Sequence, residues 1–350
     1  MTKAKILAVP TNIITGFLGV GKTSAILHLL TQKPADERWA ILVNEFGEIG
    51  IDKSLFEGQL NNLNNVFIRE VPGGCMCCAA SLPMQIALNQ LLAESRPHRL
   101  IIEPTGLGHP KEVMQVLTAE HYQPVLSIHK TVTLVDARKL SDARYTSHDT
   151  FNQQLAIADV VVGNKQDLYS TDDGERLAHY VSEHCLAGTE LMLTEHGQMS
   201  LASLDGTAEN YQQPQHHEKH AHQEHHHHDH VHHHTVSDKP PTAEQKLPVG
   251  GMLSAENSGE GFNSVGWRFA PDCVFDYHQL RLLLASVEAE RLKGVFITNA
   301  GIFGYNLTAD GLTEIALDES VESRVEIIAT ELPPDLQANL QACVSNPNPV

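Results

Sequence analysis

Three shortages in the 350-residue chain each remove a class of protein. Basic side chains are few, with 24 Lys and Arg against 43 Asp and Glu and a formal charge of −19. A nucleic-acid binder needs a basic face to neutralise phosphates, so nucleic acid is not expected as a partner. Long apolar runs are also missing. The longest are strand length, short of the roughly 18 residues of a membrane span, and no membrane role is expected. Cysteines number six, and Cys185, Cys273 and Cys343 are scattered singly. Residues 1–8 carry lysines and then turn apolar, unlike a secretory signal, so a cytoplasmic location is expected and a disulfide framework is not. A chain of this length is expected to form two domains.

What is present begins at Gly16, where the chain reads GFLGVGKT to Thr23. A glycine, four residues and then Gly-Lys-Thr is the pattern of a phosphate-binding loop. Gly16, Gly19 and Gly21 allow the tight turn in which the loop N–H groups, those of Phe17, Leu18 and Val20 included, point at phosphate. Lys22 is placed to reach the β- and γ-phosphates, and the Thr23 hydroxyl to ligate Mg²⁺. An apolar strand over Ile6–Thr15 precedes the loop, and a helix beginning near Ser24 follows it, so its positive end favours an anion.

Two further segments refine that reading. Asn164-Lys165-Gln166-Asp167 follows the apolar Val160–Val162. The Asp167 carboxylate can accept from N1–H and the exocyclic amine of guanine, a donor pair that adenine lacks. Such a site can reject the wrong base by roughly 10⁴-fold, so GTP rather than ATP is expected. Asn164 would tie this loop to the base and the phosphate loop, with the Lys165 stem along the base. In Leu100-Ile101-Ile102-Glu103-Pro104-Thr105-Gly106, Glu103 ends a strand where a Mg²⁺-side carboxylate belongs, and the Gly106 N–H can sense the γ-phosphate. The competing role for Glu103 is to cap a helix near Pro110. No glutamine stands where one would orient the attacking water, so slow intrinsic hydrolysis is expected.

Cys75, Cys77 and Cys78 crowd into VPGGCMCC. Clustered thiols in a reducing compartment point to metal or to redox chemistry, the latter without its usual C-x-x-C spacing, and zinc takes thiolate sulfur at roughly 2.3 Å with four ligands. Upstream, NEFGEIGID brings Glu45, Glu48 and Asp52 to the place of a first GTPase switch. These carboxylates can sense Mg²⁺, activate water (Glu45 is the catalytic candidate) or complete the metal site. Twelve of the 22 histidines lie in one polar stretch: His216, His217, His220, His222, His225, His226, His227, His228, His230, His232, His233 and His234. Too little apolar surface is present there to fold alone. Imidazole suits zinc, nickel and cobalt, so a weak metal reservoir is expected, filled above about pH 7 and emptied below about pH 6.

The alternation of strand and helix predicts a phosphate-loop α/β domain over 1–204, its mostly parallel sheet flanked by helices. A His-rich linker is expected over 205–258 and a smaller C-terminal α+β domain over 259–350. In that last domain a strand is predicted at Ser264–Phe269, a helix over Phe275–Arg291, a hairpin over Lys293–Thr298 and Gly301–Leu307, and a strand at Val325–Ala329. No motif there carries chemistry, and contact with a client or with a second copy of the chain, as a homodimer, is its expected use.

GFLGVGKT, NEFGEIGID, GGCMCC, EPTGL and NKQD in this order resemble the CobW-like family of metal-chaperone GTPases. The resemblance covers Ile6 to about Leu193 and extends more weakly to a CobW-like C-terminal domain. It implies a phosphate-loop fold, GTP hydrolysis with Mg²⁺, and zinc (or cobalt or nickel) held at Cys75, Cys77 and Cys78 for a client metalloprotein. A glutamate in the NEFGE segment joins the zinc site in some relatives, which here would be Glu48. Two other functions fit a phosphate loop with these motifs: a metal buffer or sensor with a nearly inactive GTPase core, and a small-molecule kinase.

Overall fold

The computed structural model describes residues 5–43, 64–71, 82–210, 246–248, 251–259 and 261–345. Short apolar runs rich in Val and Ile form the first sheet. Its strands are β1 (Val9–Gly16), β2 (Trp39–Val43), β3 (Val66–Glu70), β4 (Arg99–Glu103), β5 (Leu126–Ile128), β6 (Val132–Val135), β7 (Val160–Gly163) and β8 (Glu190–Leu193). Their order is β3-β2-β4-β1-β6-β7-β8, with β5 also paired to β1, and every pairing is parallel.

Alternation along each strand divides the buried side chains between two faces. Ile14, Ile41, Val43 and Ile101 pack on one side with α1 (Lys22–Thr31) and with the later helices α5 (Asp149–Ala156) and α6 (Asp173–His184). Ile13, Leu42, Leu100 and Ile102 pack on the other with α2 (Leu82–Ser95) and α3 (Pro110–Leu117). A short helix, α4 (Ala143–Thr146), precedes α5. Neighbouring strands β1 and β4 therefore send their following helices, α1 and α3, to opposite faces. Such a switch opens a crevice at the carboxyl ends of the strands, the usual ligand position in open α/β sheets.

A second sheet is wholly antiparallel. It comprises β9 (Met252–Gly259), β10 (Phe262–Phe269), β11 (Arg291–Thr298), β12 (Gly301–Thr308), β13 (Gly311–Leu317) and β14 (Ser323–Ala329), in the order β13-β12-β11-β14-β10-β9. One face packs on α7 (Tyr277–Ser286) and α8 (Leu336–Ala342) through Leu292, Phe296, Tyr305, Val325, Leu280, Leu284 and Leu340. The alternate residues look the other way, and Ile328 joins the core of the first domain. No helix among the described residues is long and apolar enough to cross a membrane.

Three local expectations change. The helix predicted over Phe275–Arg291 stops at Ser286, because Val287 turns extended and Arg291 is taken up by β14 opposite Ile328. Met252–Gly259, all but its last residue within the expected linker, pairs along the whole of β10, so the second sheet begins earlier than its apolar pattern indicates. Glu209 and Asn210 also belong to the first domain, where their N–H groups donate to the Asp159 carboxylate at 2.9 and 3.0 Å.

Candidate functional site

The site begins where β1 gives way to α1. Gly16 has φ 141°, and a Cβ there would lie 2.4 Å from the Leu134 carbonyl oxygen. Gly21 has φ 96° and would put a Cβ 2.5 Å from Asn164 Nδ2. Only glycine fits either position. Phe17, Leu18 and Val20 turn their side chains into the core, Phe17 edge-on to Tyr145 and Phe151, so only their backbone N–H groups remain for a ligand. Lys22 folds back over the loop, donating to the Gly16 carbonyl at 2.8 Å and the Phe17 carbonyl at 3.2 Å. The first turn of α1 contains no acidic residue of its own.

β4 runs beside β1 and delivers Glu103 to the same place. The Thr23 hydroxyl donates to Glu103 Oε1 at 3.1 Å, and Glu103 is only 3% exposed. His109, not Glu103, is the residue preceding α3. Gly106 packs so close under Leu18 that a Cβ would fall 3.0 Å from the Leu18 nitrogen, and its carbonyl accepts from Gln154 at 3.0 Å.

At the far end β7 presents the N-K-x-D loop. Asn164, 2% exposed, donates to the Val20 carbonyl at 2.8 Å and accepts from the Gly197 N–H at 2.9 Å. It thus joins the phosphate loop, its own loop and the segment after β8. Lys165 has φ 64°, and Asp167 is exposed to the cleft. Asp167, Glu195 and His196 bring potential ligand atoms within 4.8 Å of one another, the one such group among the described residues. It lies at the base-reading end, so cation binding there would compete with the role expected of Asp167.

The cleft, of about 360 Å³, is lined by Gly19, Gly21, Lys22, Thr23, Glu103, Asn164, Lys165 and Asp167. Gly16, Phe17, Leu18, Val20 and Gly106 are not among its lining residues. The opposite wall is the second sheet. Lys293 Nζ donates to the Thr23 hydroxyl at 3.1 Å, and Arg291, Asn306, Thr308 and Asp310 also line the cleft. Asp310 bonds Lys165 at 2.5 Å and Arg138 at 2.7 Å, and Arg138 in turn chelates Asp136. Burial pushes the Asp310 carboxyl up, but the hydrogen bonds from Arg138 and Lys165 outweigh it and hold the group down at about 2. No sequence motif marks these residues. The one available signal was the alternation of Arg291 and Lys293 in an otherwise apolar strand, which puts two cations on one face.

Glu45, Glu48, Asp52, Cys75, Cys77, Cys78 and the twelve histidines of 216–234 lie outside the described residues. The strand ends that lead to the first two groups are described. Val43 pairs in register with Glu70 and Glu103, and the Val71 N–H donates to the Val43 carbonyl at 3.0 Å. β2 and β3 therefore end side by side, and β2 is in addition paired with the strand that ends at Glu103.

A cleft built in this way, at the carboxyl edge of a parallel sheet, defines the phosphate-loop nucleotide-binding class. Within that class the chain belongs to the CobW/HypB/UreG family, whose nucleotide-binding domain matches residues 10–187. The chain is similar to "Zinc chaperone YeiR" of Escherichia coli (strain K12), at 38% identity over 322 residues, 91% of this chain and 93% of that one. It is 28% identical over 221 residues to "Zinc chaperone CobW" of a Sinorhizobium species, 57% of this chain and 62% of that one. Among solved structures, zinc-bound YjiA GTPase from E. coli aligns over 96% of this chain and 99% of its own, with 16% identity and a TM-score of 0.42.

Proposed function

We propose that the chain is a GTP-hydrolysing zinc chaperone, which binds the ion at Cys75, Cys77 and Cys78 and passes it to a client metalloprotein. The observation that carries this reading is the single cleft in which Asn164 couples the phosphate loop to the loop bearing Asp167. The names of the relatives and the crowding of the three thiols support zinc as the cargo. Lys22 and the N-terminal end of α1 bind the phosphates, and Asp167 selects guanine. The Thr23 hydroxyl and the Glu103 carboxylate are hard oxygen donors 3.1 Å apart, which fits Mg²⁺. Bound there, Mg²⁺ supplies charge neutralisation at the β- and γ-oxygens. Because β2, which precedes the NEFGE segment, lies between β4 with Glu103 and β3, which precedes the cysteines, loss of the γ-phosphate can change the affinity of the thiolates for zinc. Delivery requires such a difference between nucleotide states.

Zinc titration of the purified chain with a non-hydrolysable GTP analogue and with GDP tests this reading. One tight equivalent is expected, its affinity differing between the two nucleotides. It should disappear when Cys77 and Cys78 are both replaced by Ser, because oxygen ligands then replace sulfur. Survival of the tight equivalent in the double variant, or equal preference of the unsubstituted chain for ATP and GTP, would sink the assignment.

A further inference from the structure

The C-terminal sheet puts a second lysine at the catalytic end of the cleft. Lys293 is only 8% exposed, and its ammonium donates to the hydroxyl of Thr23 at 3.1 Å. That hydroxyl, itself bonded to Glu103, is the phosphate-loop group that borders the β- and γ-phosphates. Cross-strand register explains the placement. Lys293 stands opposite Glu326 on one side and Asn306 on the other, in the face that looks away from the helices of its own domain. Along that face Thr308 meets Gly19, whose Cβ would lie 3.5 Å from Thr308 Cγ2. The sheet is thus held against the phosphate loop through two of its strands, β11 and β12.

We infer that Lys293 is a γ-phosphate-reading residue, through which the C-terminal domain distinguishes GTP from GDP. This inference rests on the reading of the cleft as a GTP site. An ammonium and Mg²⁺ repel each other at one hydroxyl, so with Mg²⁺-GTP bound the lysine donates instead to a terminal phosphate oxygen. The flexible four-carbon stem allows that turn without displacement of β11. GDP has no γ-phosphate to receive it. Lys22 differs in kind, because it belongs to the phosphate loop itself and serves either nucleotide. Lys293 comes from the other domain, so its bond to the γ-phosphate ties the second sheet to the nucleotide, and hydrolysis removes that bond.

The test compares Lys293→Met, which keeps the stem and loses the charge, with Lys293→Arg and the unsubstituted chain. Affinities for GDP and for a non-hydrolysable GTP analogue are measured by calorimetry with Mg²⁺. A hydrogen bond to a charged group corresponds to about a ten- to hundredfold change in binding. Lys293→Met should therefore lower analogue affinity by about that factor, leave GDP affinity nearly unchanged, and be largely rescued in Lys293→Arg. Equal loss for both nucleotides would make Lys293 merely structural. Tighter analogue binding would make it a competitor of Mg²⁺, and either result overturns the inference. Reductive methylation of the unsubstituted chain gives a readout free of folding effects. Lys293 should label more slowly with the GTP analogue than with GDP, and equal rates would again overturn the inference. If the unsubstituted chain binds no guanine nucleotide, the functional reading falls and this one with it. If it does bind and the GTP-to-GDP ratio is insensitive to Lys293, only this inference falls.

Discussion

Asn164 shows how much one side chain can hold together in this site. Its amide nitrogen satisfies the Val20 carbonyl and its oxygen satisfies the Gly197 N–H, both without solvent access. Replacement by Ala strands two buried backbone groups, each left at a penalty of about 1–3 kcal/mol. Asn164→Ala is therefore expected to lower the melting temperature and to weaken GTP and GDP binding together, because it disturbs the phosphate loop itself. Calorimetry with both nucleotides checks this. A variant with unchanged stability and nucleotide affinity would mean that the link is not structural. The same neighbourhood explains Gly21, whose missing Cβ leaves the space that Asn164 Nδ2 occupies.

At the scale of elements, the turn between β12 and β13 latches onto the base-reading loop through Asp310, Lys165 and Arg138. The Asp310 carboxyl is held at about 2, below its ordinary 3.8. A depressed carboxyl contributes fully above the ordinary value and loses its contribution as pH falls through the folded one. The latch should accordingly be constant from about pH 8 to about pH 5, and weaken only between about pH 4 and pH 2. Ionic strength is the effective lever at neutral pH, because the pairs are partly exposed and screened within roughly 8–10 Å. Asp310→Asn should weaken domain closure by about 1 kcal/mol. Small-angle scattering in low and high salt would show it as a larger radius in the variant. Equal radii at both salt concentrations would mean that the apolar contact of Phe17 with Phe262 and the burial of Ile328 hold the domains unaided.

At the scale of the whole molecule, the described residues form two sheets that meet at the cleft, with a histidine-rich stretch in the sequence between them. Residues 216–234 carry almost no apolar side chains for either core to bury. Deletion of that stretch is expected to leave melting temperature and GTP turnover nearly unchanged, since loop closure varies by only about 0.6 kcal/mol per doubling of length. Zinc capacity should fall by several weakly held ions. The intact chain should show the same loss on going from about pH 7.5 to about pH 5.5, where imidazoles protonate. Titration of both chains at both pH values checks this, and a deletion that abolishes turnover would place the histidines in the active site.

Residues 16–23, 103 and 164–167 stand out in the linear chain because phosphate and base recognition, the roles proposed for them, depend on short contiguous patterns. A glycine-rich turn between a strand and a helix needs no distant partner to be recognised. The parallel sheet is legible for a similar reason, since its strands are buried on both faces and read as unbroken apolar runs. Short or half-exposed strands such as Glu190–Leu193 and Gly311–Leu317 carry no such run and gave no signal. Arg291 looked like the end of a helix until pairing with β14 drew it into a strand. Lys293, Asp310 and Thr308 lie far along the chain from Thr23, Lys165 and Gly19, and no local pattern links them. Local sequence thus determined the nucleotide-facing half of the cleft. The packing of one sheet face against the phosphate loop decided the other half, because register across strands, and not spacing along the chain, chooses which side chains look into it.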